Sequence, residues 1–241
     1  TTAKKDGNHY VVNGAKTYIT NGQHADLILV CCKTDPDANP AYKGVSIVLV
    51  EADREGFKRG RNLDKVGLDA ADTSELFFED VRVPITNCLG QEGMGFIYLM
   101  SELPQERLSI AIGAQTGAQR SFDQTVEFVR EHKAFGKPIL DFQNTRFVLA
   151  DLKTKLQVGW AHIDWALARH MKKELTPEEA SAAKLWHTEL QGEVVDKCLQ
   201  LHGGAGFMNE YPIAKQFRGA RVTRIFGGTS EIMKELIGRK L

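Results

Sequence analysis

Three groups of residues in the 241-residue chain have types and spacing suited to chemistry. The first is Glu106, in Leu103-Pro-Gln-Glu-Arg-Leu108. A carboxylate is costly to bury in apolar surroundings unless it is paired or used, and in an apolar cleft its pKa rises until it exchanges protons near neutrality. An ordinary solvated helix face, with Glu102 and Arg107 as charged neighbours, accounts for it better, residue by residue. Glu102 and Glu106 share a face at i, i+4, so spacing does not choose between them. The second group is His202-Gly-Gly-Ala-Gly206. Its glycines suit a left-handed helix stop, and bare backbone also permits close approach of a ligand. No strand precedes it, so it is not a dinucleotide fingerprint. The third is Phe226-Gly-Gly-Thr-Ser-Glu231, where glycines lead into a capped helix start. Free N–H donors and the helix dipole make such a point compatible with an anion, and a plain N-cap explains the same residues.

Two kinds of element must position these groups. Residues 1–92 read as β. Tyr10–Ala15 is a strand running into an Asn13-Gly14 hairpin turn, Lys16–Thr20 resumes a strand, and Asn21-Gly22 turns again. Leu27–Cys32, Val45–Val50 and Ser74–Val83 are further strands, the last stopped by Pro84, with Asp35–Pro40 a loop. Short strands separated by turn signals predict a small antiparallel sandwich or barrel. From Gly93 the apolar period becomes helical, through Phe96, Met100, Leu103, Leu108 and Ile112 to Val129. A second helix fits Phe142 to Met171. Thr176-Pro-Glu-Glu179 marks the start of a third, which runs to Leu201, and a last helix runs from Thr229-Ser230 to near Gly238. The expected class is α+β, with a β-domain over 1–92 and an antiparallel helical bundle over 93–241.

Composition narrows the function. Lys plus Arg and Asp plus Glu are 31 each, a balance that argues against broad electrostatic capture of nucleic acid or anionic membrane and leaves room for a local basic patch. No apolar run is long enough to cross a bilayer, and Thr1–Tyr10 lacks the apolar stretch of a signal peptide. Adjacent Cys31 and Cys32 point to opposite faces of a strand, and with Cys88 and Cys198 they are expected as free thiols in a reducing compartment, without a metal site. The chain lacks an initiator Met and starts in mid-pattern, so a truncated chain is expected.

Taken in order, the short motifs resemble the acyl-CoA dehydrogenase family. They are Tyr18–Gly22, Phe78–Pro84, Lys133-Ala-Phe-Gly-Lys-Pro138 with Gln143, Gln200–Gly206, Glu210-Tyr-Pro212, Arg218–Arg221 and Ile225–Glu231. The resemblance covers the whole chain. It implies an FAD enzyme in which a Glu carboxylate removes the α-proton of a fatty acyl-CoA thioester while a hydride leaves the β-carbon for the flavin, giving a trans-2-enoyl-CoA. An oxyanion-type pair of donors steadies the enolate-like oxygen.

Family members that carry the base near the last helix read Y-E-G-T there; this chain has Phe226-Gly-Gly-Thr229. Long-chain and isovaleryl-type members carry it in an E-R-L segment on the first bundle helix, which matches Glu106-Arg107-Leu108 and selects Glu106 over Glu102. Gly227 then leaves room for that carboxylate and lends its N–H to the oxyanion. The resemblance also implies flavin contacts from Tyr18, Thr20, His132, Phe135, Gln143, Gln200, Gly203, Gly204, Thr229 and Glu231, some of them to a neighbouring subunit's cofactor. Arg107 and Phe226 match substrate-side positions.

It further implies electron-transfer flavoprotein as electron acceptor, a homotetramer, and a place in fatty acid β-oxidation. The location would be cytoplasmic in a bacterium and the mitochondrial matrix in a eukaryote. There are departures. His132 stands where an Arg is usual, Gly219 where an Asp is usual, and the family's N-terminal helical domain is missing, so the truncated chain is expected to hold FAD weakly. A non-catalytic oligomerising piece and a same-fold flavin oxidase are the alternative readings.

Overall fold

The computed structural model describes residues 1–241, which divide into two compact units. The first comprises Thr1–Lys65 and Asp69–Ser101. Its strands are β1 (Thr2–Asp6), β2 (His9–Thr20), β3 (Leu27–Lys33), β4 (Val45–Glu51), β5 (Phe57–Asn62) and β6 (Thr73–Pro84). They bond edge to edge as one sheet in the order β4-β3-β1-β2-β6-β5. All pairings are antiparallel except the single parallel bridge between Thr2 and Lys33, so the sheet is mixed. Alternation puts Tyr10 and Val12 of β2, Val30 of β3, Val48 and Val50 of β4, and Leu76 and Phe78 of β6 into one core. Cys32 joins that core while Cys31 is partly exposed, and all four thiols are free.

The Asn13-Gly14 hairpin expected from sequence does not form. β2 runs straight through it with a bulge between Val12 and Gly14. Asn13 spends its amide across the strands instead. Its Nδ2 donates to Asp80 Oδ1, and its Oδ1 accepts from the Asp80 N–H, both at 2.9 Å. The tight turn lies earlier, at Gly7-Asn8 between the paired residues Asp6 and His9, with Gly7 at φ +58°. The strands β1 and β5 were not foreseen, because Lys- and Arg-rich segments carry little alternation.

The second unit comprises Val66–Leu68 and Glu102–Leu241. It is built on α1 (Gly95–Glu131), whose first turns belong to the first unit, α2 (Gln143–Met171), α3 (Pro177–Leu201), α4 (Pro212–Ala220) and α5 (Ser230–Gly238). A small hairpin, β7 (Lys133–Ala134) with β8 (Lys137–Pro138), links α1 to α2. The long helices fall where their periodicity puts them. α3 starts with a complete capping box: Thr176 Oγ1 accepts from the Glu179 N–H at 3.2 Å, and Glu179 Oε2 accepts from the Thr176 N–H at 2.9 Å. Leu149, Leu152 and Leu156 of α2 pack with Leu190 and Val194 of α3 and Phe122 of α1, each such burial worth about 1.5–3 kcal/mol. No helix is long and apolar enough to cross a membrane. The fold is therefore a sheet domain followed by a helical bundle, the α+β class expected.

Candidate active site

Glu106 sits on α1, and Gly227 lies in the turn that leads into α5. Thr229 caps α5, its Oγ1 accepting from the Ile232 N–H at 3.3 Å. Ahead of the cap the backbone turns left-handed, with Gly227 at φ +64° and Gly228 at φ +104°. A Cβ on Gly227 would lie 3.6 Å from Glu106 Oε1 and 2.4 Å from Ile110 Cδ1. Bare backbone is thus the fit beside the carboxylate. Glu106 itself is exposed in this chain, as is Glu102 one turn earlier, while Phe226 is 43% exposed. Glu231, in the first turn of α5, is held below its ordinary pKa by its backbone N–H and by Thr229.

Arg107, expected on the substrate side, is only 6% exposed. Its Nη1 donates to Ser181 Oγ of α3 at 3.3 Å, and its Nε is buried without a partner. A residue that sequence reasoning missed completes this corner. Lys184 of α3 is fully buried and donates from Nζ to the Gly228 carbonyl at 2.6 Å. Burial, then the nearby Arg107 charge, lowers the Lys184 pKa, while Glu189 and Glu231 oppose them. Its segment, Ala182-Ala-Lys-Leu-Trp186, shows no signal that sets this lysine apart from a surface one.

A second group lies where α1 ends. His132 continues the helix, its N–H donating to Phe128 O at 2.8 Å. The Phe128 ring stacks on His132 and on His202, with centroids 5.0 and 4.2 Å apart. His202 is buried, and its Nδ1 bonds the Cys198 carbonyl at 2.8 Å. Gly206 serves the helix stop, since a Cβ there would lie 2.5 Å from Leu199 O. Gly203 and Gly204 differ: nothing lies within 4 Å of a Cβ on either. Phe135 tips the β7–β8 hairpin at φ +51° and is 97% exposed, and Gln143 and Gln200 are exposed as well. Twenty-six residues of helix separate Glu106 from His132, roughly 39 Å at 1.5 Å per residue. The bundle residues singled out from sequence therefore form two groups, not one.

In the sheet unit, Tyr18 occupies the register shift of β2 between Lys16 and Ile19. It takes φ +62°, uncommon for a residue with a side chain, and is 77% exposed. Thr20 is exposed at the end of β2, opposite Thr73. No cluster of three His, Cys, Asp or Glu side chains is arranged to hold a metal.

Residues 93–241 match the family model for the acyl-CoA dehydrogenase C-terminal domain, and residues 1–81 match that for the middle domain. The chain belongs to the acyl-CoA dehydrogenase family. Among acyl-CoA dehydrogenases it is 49% identical to the mitochondrial long-chain specific acyl-CoA dehydrogenase of Sus scrofa over 241 residues, all of this chain and 56% of that protein. It is 36% identical to the mitochondrial isovaleryl-CoA dehydrogenase of Pongo abelii, over 98% of this chain and 56% of that one. The crystal structure of an acyl-CoA dehydrogenase from Geobacillus kaustophilus superposes with a TM-score of 0.97 at 50% identity, covering 99% of this chain and 63% of that one. The chain thus spans little more than half the length of the curated acyl-CoA dehydrogenases it matches.

Proposed function

We propose that the protein is an FAD-dependent acyl-CoA dehydrogenase in which Glu106 removes the α-proton of a fatty acyl-CoA thioester, giving a trans-2-enoyl-CoA. The observation that carries this reading is the Glu106 carboxylate oxygen lying beside the bare backbone of Gly227. A base must reach its proton within hydrogen-bond range, and an N–H donor must meet the charge that develops on the thioester oxygen. Gly227 can supply that N–H because no side chain stands between it and Glu106. Phe226, 43% exposed, offers an apolar surface to the acyl chain, and the Gly227–Gly228 turn sits at the positive end of α5. The long-chain relative supports a long-chain acyl group as substrate.

The residues fit a flavin dinucleotide. Tyr18 and Phe135 are exposed aromatic rings held by strained backbone, and Gly203 and Gly204 present open backbone. Bound FAD would take up the hydride from the β-carbon. In the sheet unit, Tyr18 and Thr20 would flank a flavin ring; in the bundle, Thr229 and Glu231 would contact FAD. His132, Phe135, Gln143, Gln200, Gly203 and Gly204 would hold the phosphates and adenosine. The roughly 39 Å of helix between Glu106 and His132 exceeds the reach of one dinucleotide, so the second group would serve the cofactor of another copy of the chain. That division supports a homo-oligomer, proposed as a tetramer. Electron-transfer flavoprotein is the proposed acceptor. Flavin-loaded full-length protein, given saturated acyl-CoAs of graded length with electron-transfer flavoprotein, should form 2-enoyl-CoA fastest with long chains. No enoyl product from any of them would contradict the reading.

A further inference from the structure

The corner beneath Gly228 holds an arrangement that packing alone does not favour. Lys184 from α3 and Arg107 from α1 are both buried, and they repel one another. Lys184 makes one hydrogen bond, to the Gly228 carbonyl at 2.6 Å. Arg107 Nη2 lies 4.0 Å from where a Cβ of Gly228 would be. Two buried like charges cost free energy, and apolar residues of similar size would satisfy the space better. The groups acting on Lys184 are Arg107 from α1, Glu189 from its own helix and Glu231 from α5. Neither carboxylate forms an ion pair with it, and Glu189 is instead engaged by Arg224 at 3.2 Å and by Ser230 at 2.7 Å.

We infer that Lys184 is a positioning residue for the reaction: its ammonium clamps the Gly228 carbonyl, holds the Gly227–Gly228 turn left-handed against Glu106, and adds positive potential where the carboxylate and the thioester oxygen carry charge. Two consecutive left-handed glycines have little conformational preference of their own, so an external tether must set the direction of the Gly227 N–H. Lys184 bonds the residue directly after it. The cation is fully buried while Glu106 is exposed, so it can act through the turn without touching substrate. Arg107, on the next residue after Glu106, reinforces the same field from α1.

This inference rests on the reading of Glu106 as base, and its test separates the two. In full-length flavin-loaded enzyme, Lys184→Met should lower kcat roughly 10–100-fold with KM little changed, the scale for losing a charged hydrogen bond that orients a reacting group. Thermal stability should hold or rise, since one member of a repelling buried pair is removed. Lys184→Arg should recover most of kcat. A merely structural lysine predicts the reverse, a lower Tm with kcat unchanged in the folded enzyme. Wild-type kcat in Lys184→Met, alongside an inactive Glu106→Gln, would overturn the inference and leave the base assignment standing. An active Glu106→Gln would instead remove the reading beneath it. If Lys184→Met does not fold, Lys184→Gln, which keeps a donor and drops the charge, carries the same readouts.

Discussion

Glu106 Oε1 lies 3.6 Å from the point where a side chain on Gly227 would begin, with Ile110 Cδ1 closer still at 2.4 Å. One residue comes from the middle of a long helix and the other from a turn near the end of the chain, and each constrains the other. A Cβ at Gly227 would have to displace Ile110, and a left-handed backbone with a side chain costs about 1–2 kcal/mol. Gly227→Ala is therefore predicted to lower the Tm by several degrees and to reduce turnover. Adding Ile110→Val relieves the contact but not the backbone strain. The double variant should regain part of the Tm in a thermal melt, and full recovery would show that the left-handed φ carries no cost.

Thr176→Ala tests the start of α3, which carries Lys184 and the residues leading to Gly203. Removing the capping oxygen should cost about 0.5–2 kcal/mol in a denaturant titration. Turnover at low temperature should be unchanged, because the cap lies at the far end of the helix from the open glycines. A loss below a few tenths of a kcal/mol would mean that the Arg169–Glu179 contact at 3.1 Å already fixes this turn.

Acid stability of the bundle should depend on His187. This ring is fully buried, with Nδ1 3.0 Å from Gln115 Oε1 and Nε2 3.2 Å from His162 Nδ1. Burial, aided by the His162 charge, depresses its pKa from 6.5 to about 3. The unfolded chain takes up a proton there below its ordinary pKa, while the native bundle does not until about pH 3. Stability is thus predicted to fall as pH drops through that window. His187→Gln should flatten the Tm against pH curve across it, and an unchanged slope would place the acid sensitivity elsewhere.

How much was legible in the sequence depended on whether a signal was local. Thr176-Pro-Glu-Glu179 names its own helix start, and the capping box forms there. The apolar period of α2 locates Leu149, Leu152 and Leu156 in the core. Asn13-Gly14 misled because its preference for a tight turn was overridden by a partner, Asp80, distant in sequence. The short helix α4 was missed although Pro212 sits at its first turn, since nine residues are too few for a helical period to stand out from the flanking loops. Lys184 was invisible for a stronger reason. A lysine among alanines reads as solvated, and only the approach of the Gly227–Gly228 turn makes it a buried donor.

Self-association is predicted through the outer faces of α2 and α3. Phe147 is 64%, Trp165 44% and Trp186 38% exposed, a large aromatic surface to leave in water. Light scattering at micromolar concentration should give a mass several times that of one chain. Trp165→Ser with Phe147→Ser should shift it downward, and a wild-type monomer would refute the assignment of these faces.

The proposal that Glu106 is the base is tested most directly by Glu106→Gln in the full-length, flavin-loaded enzyme, with Glu102→Gln as its control. The amide keeps the shape beside Gly227 and cannot accept the proton. Exchange of the substrate α-proton with deuterated solvent and turnover to the enoyl product should both fall about 10²–10⁴-fold, with Tm and KM close to wild type. Glu102→Gln should exchange and turn over almost normally. Near-normal α-proton exchange in Glu106→Gln, or its loss in Glu102→Gln instead, would contradict the account.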